Sequence, residues 1–236
     1  MPQALVTGAN RGIGLELTRQ LLESGYSVHA TYRKTEGGLT ELAHPLLHLH
    51  QLDVRSDGAI AAVASVIDGG LDLLINNAGI ADGRWASVED IDFEVVSEVI
   101  EVNAIAPIRV TRGLLPALER SGGGTVVMMT SLMASIADCH SGRSYAYRAS
   151  KTALNMLTVA MKNELVDRNI SLMLLHPGWV ETDMGGPNAP LQPKESVEGI
   201  LNTSHYPTRQ MRGPVVQYDG AALPCGPGRR ILTHAV

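Results

Sequence analysis

The 236-residue chain is predicted to form one doubly wound α/β domain, a seven-stranded parallel sheet with helices on both faces. Three observations lead to that fold class. Short apolar runs alternate with longer segments of helical periodicity, the pattern of successive βαβ units. The apolar character of the runs suits strands covered on both faces. No repeat or Pro/Gly/Ser-rich linker divides the chain before about residue 185, and its length suits a single domain.

The elements follow in order. Strands are expected at 4–7, 27–32, 46–51, 71–75, 125–130, 171–176 and 215–217, and helices at about 13–24, 57–67, 89–118, 146–168 and 194–203. The segment 89–118 is too long for one ordinary helix, and Asn103 and Pro107 mark a junction where it ends or kinks. Residues 184–193, with Gly185-Gly186-Pro187 and Pro190, read as an irregular loop. The domain is expected over 1–224, with 225–236 a Gly/Pro-rich, then basic, poorly ordered tail.

An apolar fraction of 44% beside 18% charged residues belongs to a water-soluble protein with a full core. A net charge of −5 with scattered cations argues against nucleic acid as a partner. No apolar run approaches the roughly 20 residues that span a bilayer, so no membrane partner is expected. Cys139 and Cys225 lie far apart without metal-type spacing, which fits a reducing, cytoplasmic setting. His48 and His50 would share one side of a strand, but no carboxylate or cysteine completes a metal shell, and no metal is expected.

The first strand runs directly into Thr7-Gly8-Ala9-Asn10-Arg11-Gly12-Ile13-Gly14. A glycine-rich strand-to-helix turn allows a sharp bend, close approach of a pyrophosphate, and tight helix packing, and the helix N-terminus faces the phosphates. With Gly-x-x-x-Gly-x-Gly spacing rather than the commoner Gly-x-Gly-x-x-Gly, it reads either as the dinucleotide-binding turn of a Rossmann fold or as a bare glycine loop that turns strand into helix. The second strand ends in Tyr32-Arg33-Lys34 and meets no acid until Glu36. A carboxylate there would repel a ribose 2′-phosphate, whereas a guanidinium binds one. Arg33 and Arg11 therefore point to NADP(H), although either could be an ordinary surface arginine. Asp53-Val54, after the third strand, reads either as an adenine contact or as a turn acid.

Tyr147 and Lys151, four residues apart, share one helix face. A lysine beside a phenol favours the phenolate and brings its pKa toward neutrality, where it can exchange protons. Alone the pair is a weak signal, but Asn76-Asn77-Ala78-Gly79, Asn103, Ser131 and Pro177-Gly178 accompany it in order. On these motifs the chain resembles the short-chain dehydrogenase/reductase family over about residues 3–223. Segments 133–138, 145–151, 177–186 and 218–224 are most similar to its C-factor/sniffer-type carbonyl reductase branch.

The resemblance implies an NADPH-dependent reductase that transfers a hydride to an aldehyde, ketone or quinone. It implies Tyr147 as general acid, Lys151 tuning Tyr147 and holding the nicotinamide ribose, and Ser131 donating to the substrate oxygen. It gives Asn103 a water that links Lys151 to solvent. Cofactor contacts are implied for Gly8, Asn10, Arg11, Gly12, Ile13, Gly14, Arg33, Asp53, Val54, Asn77, Ala78, Gly79, Tyr147, Lys151, Pro177, Gly178, Val180 and Thr182. Asn77 falls beside the adenosine ribose, and Thr182 beside the nicotinamide carboxamide. Ser135 lies nearer the family's usual Ser-to-Tyr spacing, but Ser131 directly follows its strand and is preferred. Trp85, Met133, Trp179 and Met184 fall on loops that could wall a substrate pocket. Relatives pair through helices near 103–118 and 146–168, so a homodimer or homotetramer is expected. The alternative is an NADP(H)-binding sensor or signalling protein with vestigial reductase activity.

Overall fold

The computed structural model describes residues 1–81, 85, 87–204 and 215–223. The tail 225–236 lies outside them. Strands β1 (Gln3–Val6), β2 (Ser27–Tyr32), β3 (Leu47–Gln51), β4 (Leu73–Asn76), β5 (Thr125–Met129), β6 (Ser171–His176), β7 (Val215–Gln217) and β8 (Ala222–Leu223) form one sheet. Their order is β3-β2-β1-β4-β5-β6-β7-β8. All neighbours are parallel except β7 and β8, which pair antiparallel. The sheet therefore gains an eighth strand over the expected seven. Two residues are too few for a periodic signal, and β8 exists because the chain turns back at Gly220 (φ +87°) onto β7.

Helices α1 (Gly12–Glu23) and α6 (Pro193–Ser204) cover one face; α2 (Asp57–Ser65), α3 (Phe93–Ile100), α4 (Ala106–Arg120) and α5 (Tyr145–Leu165) lie on the other. The two cores sit between these layers. Leu5, Leu74, Leu114 and Leu118 build the first, and Val6, Ile75, Leu17 and Leu21 the second, each at most 1% exposed. Burying one such side chain stabilises the fold by roughly 1.5–3 kcal/mol. Chain order reverses between β1 and β4, the switch point at whose carboxyl ends such sheets bind ligands.

Helix ends carry local signals. Ser56 caps α2 by accepting from Ala59 N at 3.2 Å, and Asp92 caps α3 by accepting from Glu94 N at 2.9 Å. The expected junction inside 89–118 is a π-turn, Glu101–Ile105, between α3 and α4. Pro107 contributes to it, since proline has no N–H to close the ordinary bond onto the carbonyl of residue 103. Such turns concentrate at functional sites. No described helix is long and apolar enough to cross a membrane.

The histidines form a polar cluster at the β2–β3 edge. His29 Nδ1 lies 2.9 Å from His50 Nε2, and His29 Nε2 lies 3.1 Å from Gln3 Oε1. The glutamine oxygen only accepts, so Nε2 carries the hydrogen and Nδ1 accepts from His50. Burial first, then the charges of His50 and His48, hold His29 down at about 4. Among the described residues no group of three His, Cys, Asp or Glu could hold a metal.

A histidine lowered from 6.5 to about 4 leaves the unfolded chain binding more protons between those values. Stability is therefore full above pH 6.5 and falls as pH drops toward 4, by up to about 3 kcal/mol. Urea unfolding of the wild type should weaken more steeply over that window than that of His29→Gln. Parallel curves would remove the histidine from the acid response.

Candidate active site

The glycine turn is set by backbone geometry and by a neighbouring amide. Gly8 and Gly12 hold φ of +63° and +53°, the left-handed region that disfavours side chains. At Gly14 the constraint is space: a Cβ would stand 2.2 Å from the Gly8 carbonyl oxygen and 2.6 Å from Asn77 Nδ2. Asn77 Nδ2 donates to the carbonyls of Thr7 (2.9 Å) and Gly8 (3.1 Å). Thr7 Oγ1 accepts from the backbone of Asn77 and of Ala78, each at 3.0 Å. Asn77 thus locks the turn from β4, and Thr7, which carried no sequence signal of its own, completes the lock. Gly14→Ala should force the turn apart. NADPH affinity, read by fluorescence titration, is expected to fall at least about 100-fold, a 1 Å displacement being of that consequence in positioned sites. Wild-type affinity would show that the turn relaxes without cost.

The turn opens onto a cleft of ≈ 730 Å³ along the carboxyl ends of the strands. Its walls include Gly8, Asn10, Arg11, Gly12, Ile13, Gly14, Arg33, Asp53, Val54, Asn77, Ala78, Gly79, Tyr147, Lys151, Pro177 and Thr182, drawn from seven separate stretches of chain. Gly178 and Val180 are not on the wall. Gly178 packs against Leu191 and Tyr218, and Val180 is 3% exposed and bridges to Leu191, so both sit beneath it. Asn103 and Ser131 also lie behind the lining, 0% and 9% exposed.

One end of the cleft is cationic. Arg33, Lys34 and Arg55 outnumber Asp53 and Glu98 there, around a recess of ≈ 630 Å³ that Gln51 and Ser56 also line, with Arg55 Nη1 3.7 Å from Glu98. Asp53 accepts from Arg55 Nε (3.0 Å), Nη2 (2.8 Å) and its backbone N (3.0 Å). The Arg55 hydrogen bonds hold this carboxyl down at about 2. Asp53 is thus a turn acid that also faces the cleft. Sequence reasoning passed over Arg55 and Lys34, although a second and third cation near Arg33 was the available signal. Glu36 is absent from the wall, and its carboxylate accepts from the Tyr32 hydroxyl at 3.2 Å. Arg11 turns away from this end and pairs with Asp183 at 2.6 Å. Both are largely exposed, and such pairs contribute at most about 1 kcal/mol.

A dinucleotide phosphate fits these residues. The α1 N-cap, Arg11, makes no side-chain capping bond, so the helix end is open to an anion. Gly12, whose Cβ would project toward Thr182 on the facing wall, keeps the approach clear, and the recess with Arg33, Lys34 and Arg55 matches a further phosphate.

At the other end, α5 presents Tyr147 and Lys151 together. Lys151 Nζ lies 5.8 Å from the Tyr147 ring centre and donates to the Met129 carbonyl at 2.7 Å. Lys151 is 6% exposed, and burial lowers it to about 8. An ammonium has three hydrogens, so this bond leaves two for the cleft. Ser131 follows β5 and accepts from Met133 N at 3.1 Å in a short 3₁₀ turn. Ser135 stands beyond that turn and accepts from Asp138 N at 3.3 Å. Asn103 Oδ1 accepts from Ile80 N at 2.8 Å, while Nδ2 donates to Ile80 O (2.8 Å) and Ser150 Oγ (3.1 Å). Of the expected pocket walls, Met184 lines the cleft, and Trp179 is pinned by its Nε1 to the Gly185 carbonyl at 2.9 Å.

A doubly wound parallel sheet with an open glycine turn at its switch point, facing a tyrosine–lysine pair across one cleft, defines a nucleotide-dependent oxidoreductase of the short-chain type. The short chain dehydrogenase family model matches residues 2–192, and the chain belongs to that family. It is 40% identical over 164 residues to C-signal of Myxococcus xanthus, which covers 70% of this chain and 98% of that protein. Its structure is similar to the carbonyl reductase Sniffer of D. melanogaster, with a TM-score of 0.88, 33% identity and coverage of 94% and 99%. It is likewise similar to the NADPH-bound carbonyl reductase from chicken fatty liver, with a TM-score of 0.87, 34% identity and coverage of 94% and 98%.

Proposed function

We propose that the protein is an NADPH-dependent reductase of aldehydes, ketones or quinones. The carrying observation is the cleft itself, cationic at one end and walled by Tyr147 and Lys151 at the other. Arg33, Lys34 and Arg55 hold the ribose 2′-phosphate, and the glycine turn and α1 receive the pyrophosphate. When bound, the reduced nicotinamide supplies a hydride to the carbonyl carbon.

The chain's own residues handle the proton. The Tyr147 hydroxyl, in reach of a carbonyl oxygen placed in the cleft, gives up its proton as negative charge develops there. The Lys151 ammonium stabilises the phenolate left behind and holds the ribose hydroxyls with its remaining hydrogens. Ser131, just behind the lining at the carboxyl end of β5, donates to the same oxygen once its hydroxyl turns into the cleft. Ser135, beyond the 3₁₀ turn, packs that turn. Both Asn103 amide hydrogens are committed, so a water between Lys151 and solvent is held by the Asn103 main-chain carbonyl or the second lone pair of Oδ1. The protein works in the cytoplasm as a homodimer or homotetramer, for which the exposed Met156 (70%) and Leu157 (39%) of α5 offer an apolar face.

The test is loss of NADPH absorbance with a panel of aldehydes, ketones and quinones, run beside NADH and Tyr147→Phe. Turnover preferring NADPH and abolished in the variant is expected. Tight NADPH binding without turnover on any carbonyl would favour the sensor reading that the similarity to C-signal keeps open.

A further inference from the structure

We propose that Ser150, which the family motifs leave without a role, is a positioning residue for the reaction. Its hydroxyl joins the cofactor-side wall to the helix that carries the acid. This rests on the reductase reading above. Ser150 is 0% exposed and lies on α5 between Tyr147 and Lys151. Its Oγ donates to the Tyr147 carbonyl at 2.8 Å. A hydroxyl has one hydrogen, so toward Asn103 Nδ2, 3.1 Å away, it accepts. Asn103 in turn clamps both backbone groups of Ile80 at 2.8 Å. The line Ile80, Asn103, Ser150, Tyr147 therefore ties three separate stretches of chain: the segment after β4, the π-turn and α5.

The bland alternative is an ordinary helical back-bond from a serine to its own helix. Thr158, on the same helix and 2% exposed, makes that bond to the Leu154 carbonyl at 2.7 Å. Ser150 differs because the line continues to another element. It also ends beside the reacting groups. A Cβ added to Gly79 would lie 3.2 Å from Asn103 Oδ1 and 3.8 Å from Lys151 Nζ, so the two side chains border the same small space beside Gly79. Without the Ser150 oxygen, one Asn103 hydrogen is left buried without an acceptor, and the amide is held by Ile80 alone.

Ser150→Ala is compared with Thr158→Ala, which removes a back-bond that leads nowhere. NADPH Kd is read by fluorescence, and kcat is measured from pH 6 to 10. In Ser150→Ala kcat should fall about 10-fold to 100-fold, the scale of small misplacements at a reacting centre. Kd should rise severalfold, and the alkaline limb of the kcat profile should move. Thr158→Ala should leave all three in place. Wild-type kcat, Kd and pH profile in folded Ser150→Ala, or equal changes in both variants, would overturn the proposal. If Ser150→Ala does not fold, Ser150→Cys keeps the size with a poor acceptor, and wild-type values there overturn it equally. A wild type that binds NADPH but reduces nothing sinks the reductase reading alone, and the Kd comparison still decides Ser150.

Discussion

Tyr147→Phe is expected to lower kcat for carbonyl reduction by about 10³-fold while leaving NADPH affinity within about threefold of wild type. A positioned general acid contributes roughly 10²–10⁴ in rate, and phenylalanine removes only the oxygen that carries the proton. The ring itself is retained beside Lys151, so the 5.8 Å packing of ammonium over ring persists. Loss of rate with unchanged binding is the signature of a group that acts in the transition state. If kcat stayed within twofold on every carbonyl that the wild type reduces, Tyr147 would not be the acid. A variant that lost NADPH binding as well would instead make Tyr147 a wall of the cofactor site.

Lys151→Met should lose activity to a similar extent and, at neutral pH, keep or gain stability. Burial holds Lys151 at about 8 against 10.5 for the free side chain. Below pH 8 the group is protonated in both states, and burying its charge costs about 3 kcal/mol. Between pH 8 and 10.5 the unfolded chain binds more protons than the folded one, so wild-type stability rises with pH across that window. Methionine has no charge to bury and shows no such rise. It also leaves the Met129 carbonyl without its 2.7 Å donor, an offset of about 1–3 kcal/mol. Urea unfolding at pH 7.5 and pH 10 separates the terms: the variant should match or exceed wild type at 7.5 and fall behind at 10. A constant difference at both pH values would mean that Lys151 titrates as it does in water. Read this way, the buried lysine is a stability cost retained for its chemistry.

Most strands and helices were legible because their signals are local. Apolar runs mark β1, β4, β5 and β6, and Asn103 with Pro107 marked the break in the long helical segment. What remained hidden depended on contacts between distant residues. β8 has no periodicity to read and is defined by its partner. Arg33 and Lys34 were visible as neighbours in sequence, but the company of Arg55 required β2 and β3 to place their ends side by side. Arg11 was expected near Arg33, yet its side chain reaches the opposite wall at Asp183, across 172 residues of sequence. Asn77 was expected beside the ribose, and its amide is occupied by the glycine turn.

The sequence by itself determined the fold class, the glycine turn and the pairing of Tyr147 with Lys151. These follow from periodicity, from the backbone freedom of glycine and from the i, i+4 geometry of a helix, all confined to short stretches. Only the tertiary structure decided that Lys151 is buried against β5, that Arg11 pairs with Asp183, and that Asn103 reaches Ser150 and Ile80 at once. Burial, charge pairing and long-range hydrogen bonds are properties of neighbours in space, and folding chooses those neighbours.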